Sequence, residues 1–160
     1  MMKTITLKGI IDEDFVNYKV PSMSLMFPKC SFKCDRQYCQ NASLIDEPDI
    51  TIAIDDLCKR YINNPITKAV VCQGLEPLDS IDDLINFIAT LRYKYNCNDD
   101  VVIYTGYNRN EIIPGDIGIF RDFNNIIIKY GRYIHGFKSH FDPVLGVNLA
   151  SDNQYAERIL

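Results

Sequence analysis

The chain has 160 residues, 47% of them hydrophobic and 24% charged, and carries a formal net charge of −4. That balance suits a soluble globular domain with a real core and excludes an intrinsically disordered chain. A net negative chain without clustered Lys and Arg does not fit sequence-independent nucleic-acid binding, and no apolar run approaches the length that spans a bilayer. The opening MMKTITLKGIIDEDF places acidic residues where a secretory signal would be apolar, so the expectation is a cytoplasmic protein with one domain over residues 1–160.

The first strand signal is TITLKGII at 4–11, which alternates and ends at an acidic turn, Asp12 to Asp14. Residues 23–27 form a second strand stopped by Pro28. A cysteine-rich loop follows directly. Residues 53–63 predict a helix, because Ile54, Leu57, Cys58, Tyr61 and Ile62 share one face and Asn63-Asn64-Pro65 ends it. Asp55 and Asp56 in its first turn, with Lys59 and Arg60 later, complement the helix dipole.

Residues 68–72 read as a buried strand, and Gln73 to Pro77 as the loop after it. Ser80 and Asp83 resemble a capping box that opens a helix with Ile81, Leu84, Ile85, Ile88 and Leu91 on its apolar face. Residues 101–104 form another short buried strand, closed by Thr105-Gly106. Strand, loop and helix in this alternation imply a parallel sheet with crossover helices. Further on, Pro114-Gly115 marks a loop and 125–129 a strand. The tail, 146–160, is read as a last strand and a short terminal helix.

Six cysteines in a reducing compartment point to metal binding or catalysis rather than disulfides. Cys30, Cys34 and Cys39 lie within ten residues as C-x3-C-x4-C at the end of a predicted strand. Cys58, Cys72 and Cys97 are scattered. Thiolates ligate both iron–sulfur clusters and zinc. A cubane held by three protein thiolates leaves one iron open to a small molecule. The cysteines by themselves fit that arrangement, and they also fit a zinc site completed by Cys58, Cys72 or Cys97. His135 and His140 are too distant in sequence to finish a zinc knuckle, and His135 reads as a half-exposed loop residue. Two further strand-end loops, Gln73-Gly74-Leu75-Glu76-Pro77 and Tyr104-Thr105-Gly106-Tyr107, have turn-like composition. In parallel α/β folds, three such strand ends converge where ligands bind.

Together these motifs resemble the radical S-adenosylmethionine superfamily. The cysteine loop running into Cys39-Gln40-Asn41 resembles the Cys-His-Asn ending of activating proteins for anaerobic ribonucleotide reductase. GLEP at 74–77 is similar to the superfamily's Gly-Gly-Glu-Pro segment, and IYTGY at 103–107 to a segment of the same activases. IIIKYGRY at 126–133 sits where they carry a strand ending in aspartate and glycine. Ser151-Asp152-Asn153-Gln154 resembles their Ser-Ser-Asn-Gln tail. The likeness covers nearly the whole chain, in order. Two features depart from it. The usual spacing is C-x3-C-x2-C, and Leu75 replaces the second glycine, which is unstrained only if φ is negative there.

The resemblance implies an α/β fold, a partial (open) βα barrel of the radical S-adenosylmethionine type. It implies a [4Fe–4S] cluster on Cys30, Cys34 and Cys39 that binds S-adenosyl-L-methionine and cleaves it to a 5′-deoxyadenosyl radical. Tyr38 would pack on the adenine, Gly74 and Glu76 would receive the methionine amino group, and Gly106 would let the strand end approach the adenosine. Asp142 and Asn153 would shape the mouth of the site. The implied partners are the glycyl-radical large subunit of anaerobic ribonucleotide reductase and an electron donor such as flavodoxin. The alternatives are a small radical enzyme acting on a metabolite, and a non-catalytic iron–sulfur or zinc protein that keeps the fold.

Overall fold

A computed structural model describes residues 2–31 and 42–159. The chain runs through β1 (Thr4–Leu7), β2 (Gly9–Asp14), β3 (Ser22–Phe27), a 3-10 turn at Ala42–Asp46, β4 (Ile50–Ala53) and α1 (Ile54–Ile62). It continues through β5 (Ala69–Gly74), a 3-10 turn (Pro77–Ser80), α2 (Ile81–Ala89), a π-helical turn (Thr90–Lys94), β6 (Asp100–Tyr104) and a 3-10 turn at Arg109–Glu111. The last elements are α3 (Pro114–Arg121), β7 (Ile126–Tyr130), β8 (His140–Asp142), β9 (Val147–Leu149) and β10 (Tyr155–Arg158).

Six strands form one open, mixed sheet in the order β10-β7-β6-β5-β3-β2. Its four central strands, β3, β5, β6 and β7, are parallel and lie in sequence order. Only the edge strands β2 and β10 run antiparallel. Successive right-handed crossovers in one direction place their helices on one face of the sheet. The packing agrees. Leu57 and Tyr61 of α1, Leu84, Phe87 and Ile88 of α2, and Ile117 and Phe120 of α3 join one core cluster. That cluster takes Met23, Leu25 and Phe27 of β3, Val70 and Cys72 of β5, Val101 and Ile103 of β6, and Ile126, Ile128 and Tyr130 of β7. The intervening residues Val71, Val102 and Ile127 face the other way, onto Tyr18, Leu145 and Leu149. Both faces of the central strands are covered, so these strands read as unbroken apolar runs rather than alternating ones.

Several expectations are corrected. The strand expected over 4–11 is two strands in different sheets: β1 pairs with β4, whereas β2 pairs with β3. Lys8 sits at the break, and its ammonium holds Asp49 (2.9 Å) and the Glu47 carbonyl (2.5 Å). The acidic turn is the end of β2. Asp12 pairs with Arg60 through two 2.7 Å contacts. Buried Asp14 accepts from the Val16 and Asn17 amides and from the Ser24 hydroxyl, which shapes the loop into β3. The box expected at Ser80 and Asp83 does not form. Ser80 makes no capping bond, and a Pro77–Ser80 turn precedes α2 instead. The Asp83 carboxylate accepts from the Thr6 amide and ties α2 to β1. Pro114 opens α3 rather than a loop, since its fixed φ suits a first helical position. The tail forms β9 and β10 and no helix among the described residues, because Tyr155–Arg158 can complete the β7 ladder. No helix of the described residues is long and apolar enough to cross a membrane.

Candidate functional site

The carboxyl ends of the four parallel strands lie along one edge of the sheet. β3 ends at Phe27 and leads through Pro28 to Cys30, which is exposed, and Ser31. Cys34, Tyr38 and Cys39 lie outside the described residues. β5 ends at Gly74, paired in register with Phe27. Gly74 has φ of +94°, and a Cβ there would stand 2.4 Å from the Phe27 nitrogen and 2.6 Å from the Met26 Cα. No other residue type fits, because both the dihedral and the close backbone approach exclude a side chain. The left-handed residue is thus Gly74. Leu75 is not at positive φ, and its amide donates to the Phe27 carbonyl at 3.1 Å. The second glycine of the expected motif is therefore dispensable for the backbone here.

Glu76 is fully buried. One carboxylate oxygen accepts from the Leu78 amide (3.1 Å) and the Thr105 hydroxyl (2.8 Å), and the other accepts from the Gly106 amide (2.7 Å). Burial raises its pKa, while the Gly106, Thr105 and Leu78 donors pull it down. Glu76 and Gly106, expected to face a ligand, are bonded to each other and lock the ends of β5 and β6 together. Three of the roughly four acceptor positions of the carboxylate are filled.

A second network runs across the outer side of the same loops. Asp79, in the turn after Glu76, accepts from the Ser31 amide (2.6 Å) through one oxygen and from the Tyr107 hydroxyl (2.7 Å) through the other. The Ser31 and Tyr107 hydroxyls lie 3.1 Å apart. The loops after β3, β5 and β6 are closed into one ring by these three residues. Asp79 also lines a pocket of about 440 Å³ beside the root of the cysteine loop, with Lys8, Pro28, Lys29 and Asp83.

The end of β7 joins from the far side. Lys129 is 5% exposed, donates to the Gly131 carbonyl (2.9 Å) and lies 5.5 Å from the centre of the Tyr104 ring. Burial lowers its pKa to about 8, with Glu76 acting in the opposite sense. The segment Ser151-Asp152-Asn153-Gln154 clasps this strand end. The Asn153 amide donates to the Arg132 carbonyl (2.8 Å) and the Gln154 amide to the Gly131 carbonyl (3.1 Å), while the Ser151 hydroxyl accepts from the Ile134 amide (3.2 Å). The Asn153 side-chain oxygen is buried without a partner.

Two assignments to the mouth are corrected in part. Asp142 is buried and accepts from the Leu145 (2.9 Å) and Ala156 (3.0 Å) amides, so it braces the β8–β9 turn against β10 rather than facing an opening. Asn153 does stand at a strand end, but its amide is spent on Arg132. His135 is exposed in the loop after β7. Asp79 and Lys129 were missed by the sequence reading. A lone lysine inside the apolar run IIIKY was a usable signal. Asp79 carried none, being one of several acidic residues around the start of α2.

The cysteines divide by environment. Cys58 and Cys72 are buried in the helix-side core, and Cys97 packs partly buried against it. Burial pushes the Cys58 thiol up to about 12 and also raises Cys72 and Cys97. Neutral core thiols are inert and poor metal ligands. Cys72 points into the core from β5 and Cys58 from α1. The donor set that remains is the loop's own three thiols, rooted at Cys30. That set fits a group held by three thiolates with a fourth position open.

No curated protein matches the chain. The model of one protein family, described as the 4Fe–4S single cluster domain, matches residues 21–144, from the start of β3 to the β8–β9 turn. That stretch holds the four parallel strands, α1, α2 and α3, and the whole C-x3-C-x4-C loop at its first strand end. The chain belongs to the 4Fe–4S single cluster domain family.

Proposed function

We infer that this iron–sulfur protein is a radical S-adenosylmethionine enzyme that installs a glycyl radical on anaerobic ribonucleotide reductase. The observation that carries the reading is the meeting of the cysteine-loop root, Gly74–Glu76 and Thr105–Gly106 at adjacent parallel strand ends. Cys30, Cys34 and Cys39 would hold a [4Fe–4S] cluster. A cluster held there would supply, with one electron from a donor such as flavodoxin, the reducing power to split S-adenosylmethionine into methionine and a 5′-deoxyadenosyl radical, which would take a hydrogen atom from a glycine of the partner.

The chain's own residues would arrange that chemistry. Gly74 keeps the ends of β3 and β5 in contact. Glu76 fixes the β5 and β6 loops and retains one acceptor position for a substrate ammonium. Tyr38 and Gly106 are assigned to the adenosine. Three one-sided crossovers in sequence order support a partial, open βα barrel, and an open side suits a protein substrate rather than an enclosed metabolite. One feature favours a second reading, a non-catalytic iron–sulfur protein: Glu76 has no exposed atom.

The test is anaerobic reconstitution followed by dithionite reduction with S-adenosylmethionine. Expected are a [4Fe–4S] signal and 5′-deoxyadenosine from the intact chain, and loss of both in Cys30→Ala. A cluster that yields no 5′-deoxyadenosine establishes the non-catalytic reading. A full cluster in Cys30→Ala refutes the ligand assignment.

A further inference from the structure

The geometry points to Asp79 and Tyr107 as a latch that holds the root of the cysteine loop in its ligand-presenting position before any cluster is bound. Neither residue is a candidate ligand. Asp79 reaches the backbone of Ser31, one residue beyond Cys30, at 2.6 Å. Tyr107 holds the other oxygen of the same carboxylate at 2.7 Å, and the two hydroxyls close the ring.

The stretch from Pro28 to Ser31 leaves the sheet at Phe27 with no ladder partner of its own. One tie from it back to the β5 side is the Asp79 carboxylate. A charge-assisted hydrogen bond to a backbone amide is among the stronger polar contacts, and an aspartate that accepts from two partners has its own rotamer fixed. Tyr107 anchors that rotamer from β6, so the position of Cys30 is set by three strands rather than one. A ligand loop held in place before binding loses less conformational entropy when the ligand arrives. The residues are positioning residues. Their effect would be felt in how fast the loop opens and how firmly the cluster is kept.

This inference rests on Cys30 being a ligand, and the experiment separates the two. Apo protein is first followed by amide hydrogen exchange over residues 28–31. Asp79→Ala and Tyr107→Phe are compared with Asp79→Asn, whose amide oxygen still accepts from Ser31, and with Asp82→Ala as a nearby control in the first turn of α2. Expected are about tenfold faster exchange at Ser31 in Asp79→Ala and a smaller rise in Tyr107→Phe. Rescue is expected in Asp79→Asn, and no change in Asp82→Ala or at core amides. The reconstituted proteins are then challenged with an iron chelator, and cluster loss should follow the same order. Exchange and cluster loss within twofold of the parent in Asp79→Ala overturn the latch. So does faster exchange spread evenly over the whole chain, which marks a general stability effect. A full cluster in Cys30→Ala, by contrast, defeats the ligand assignment while leaving the exchange result standing.

Discussion

Replacing Gly74 by Ala is the sharpest probe of how the strand ends are built. Two separate costs apply. Gly74 has φ of +94°, where an L-residue is strained by about 1 to 3 kcal/mol. The added methyl would also stand 2.4 Å from the Phe27 nitrogen, 2.6 Å from the Met26 Cα and 2.7 Å from the Met26 carbonyl carbon. All three are backbone atoms of β3, so no side chain can swing aside. Relief needs β3 or β5 to shift by roughly 1 Å, and overpacking of this kind costs about 1 to 3 kcal/mol more. The sum is about 2 to 6 kcal/mol, a large share of a small domain's stability. Urea unfolding of apo Gly74→Ala, followed by circular dichroism, measures it. Gly118→Ala is the control: it lies within α3 with nothing inside 4 Å of the added carbon, and should be neutral or stabilising by up to about 1 kcal/mol. Because the displaced backbone leads into Cys30, reconstituted Gly74→Ala should also retain less iron. A loss under about 1 kcal/mol with full iron content would refute the reasoning.

Other changes test the remaining parts of the site. Glu76→Gln sets an amide donor against a backbone or hydroxyl donor and should cost about 1 to 3 kcal/mol at neutral pH. The penalty should grow on acidification in urea melts, because the raised pKa of Glu76 means the folded parent gains stability as the buried carboxyl takes up a proton, a gain the Gln variant cannot share. A pH-independent difference would contradict that. For Lys129 the sign is opposite: a folded pKa lowered to about 8 from 10.5 means the unfolded chain binds more protons between those values, so stability rises with pH across that window. Relative to Lys129→Met, the parent should gain about 3 kcal/mol from pH 8 to 10.5, and a flat difference would sink the assignment. Cys72→Ala should lose about 1 to 2 kcal/mol through a small core cavity yet keep the iron content and spectrum of the parent. Loss of iron at unchanged stability would make Cys72 a ligand.

Much of the site's location was legible in the chain alone, because it depends on local chemistry. Thiols spaced within one loop, the glycine at 74 and the carboxylate at 76 are each read from residue type and neighbourhood. The alternation of apolar runs and helical periods placed β3, α1, β5, α2, β6 and β7 to within a residue or two. Where the reading slipped, a distant partner decided. Residues 4–11 look like one strand, yet Lys8 finds Asp49 and Glu47, and β1 and β2 go to different sheets. The tail looks helical in part, yet β7 offers an open edge that Tyr155–Arg158 fills.

The clustered cysteines by themselves favoured a metal site without choosing the metal, and belonging to the 4Fe–4S single cluster domain family makes it iron–sulfur. Tertiary structure alone decided which of the described cysteines are buried. Cys58, Cys72 and Cys97 carry the same functional group as Cys30, and only burial separates them, through a desolvation cost that no local pattern reports. The role of Asp79 was likewise invisible in sequence, since it depends on atoms brought close by the parallel strand order: Ser31 lies 48 residues from Asp79, and Tyr107 lies 28. A sequence specifies side-chain chemistry residue by residue. The dielectric around each group, and the partner it meets, are properties of the packed fold.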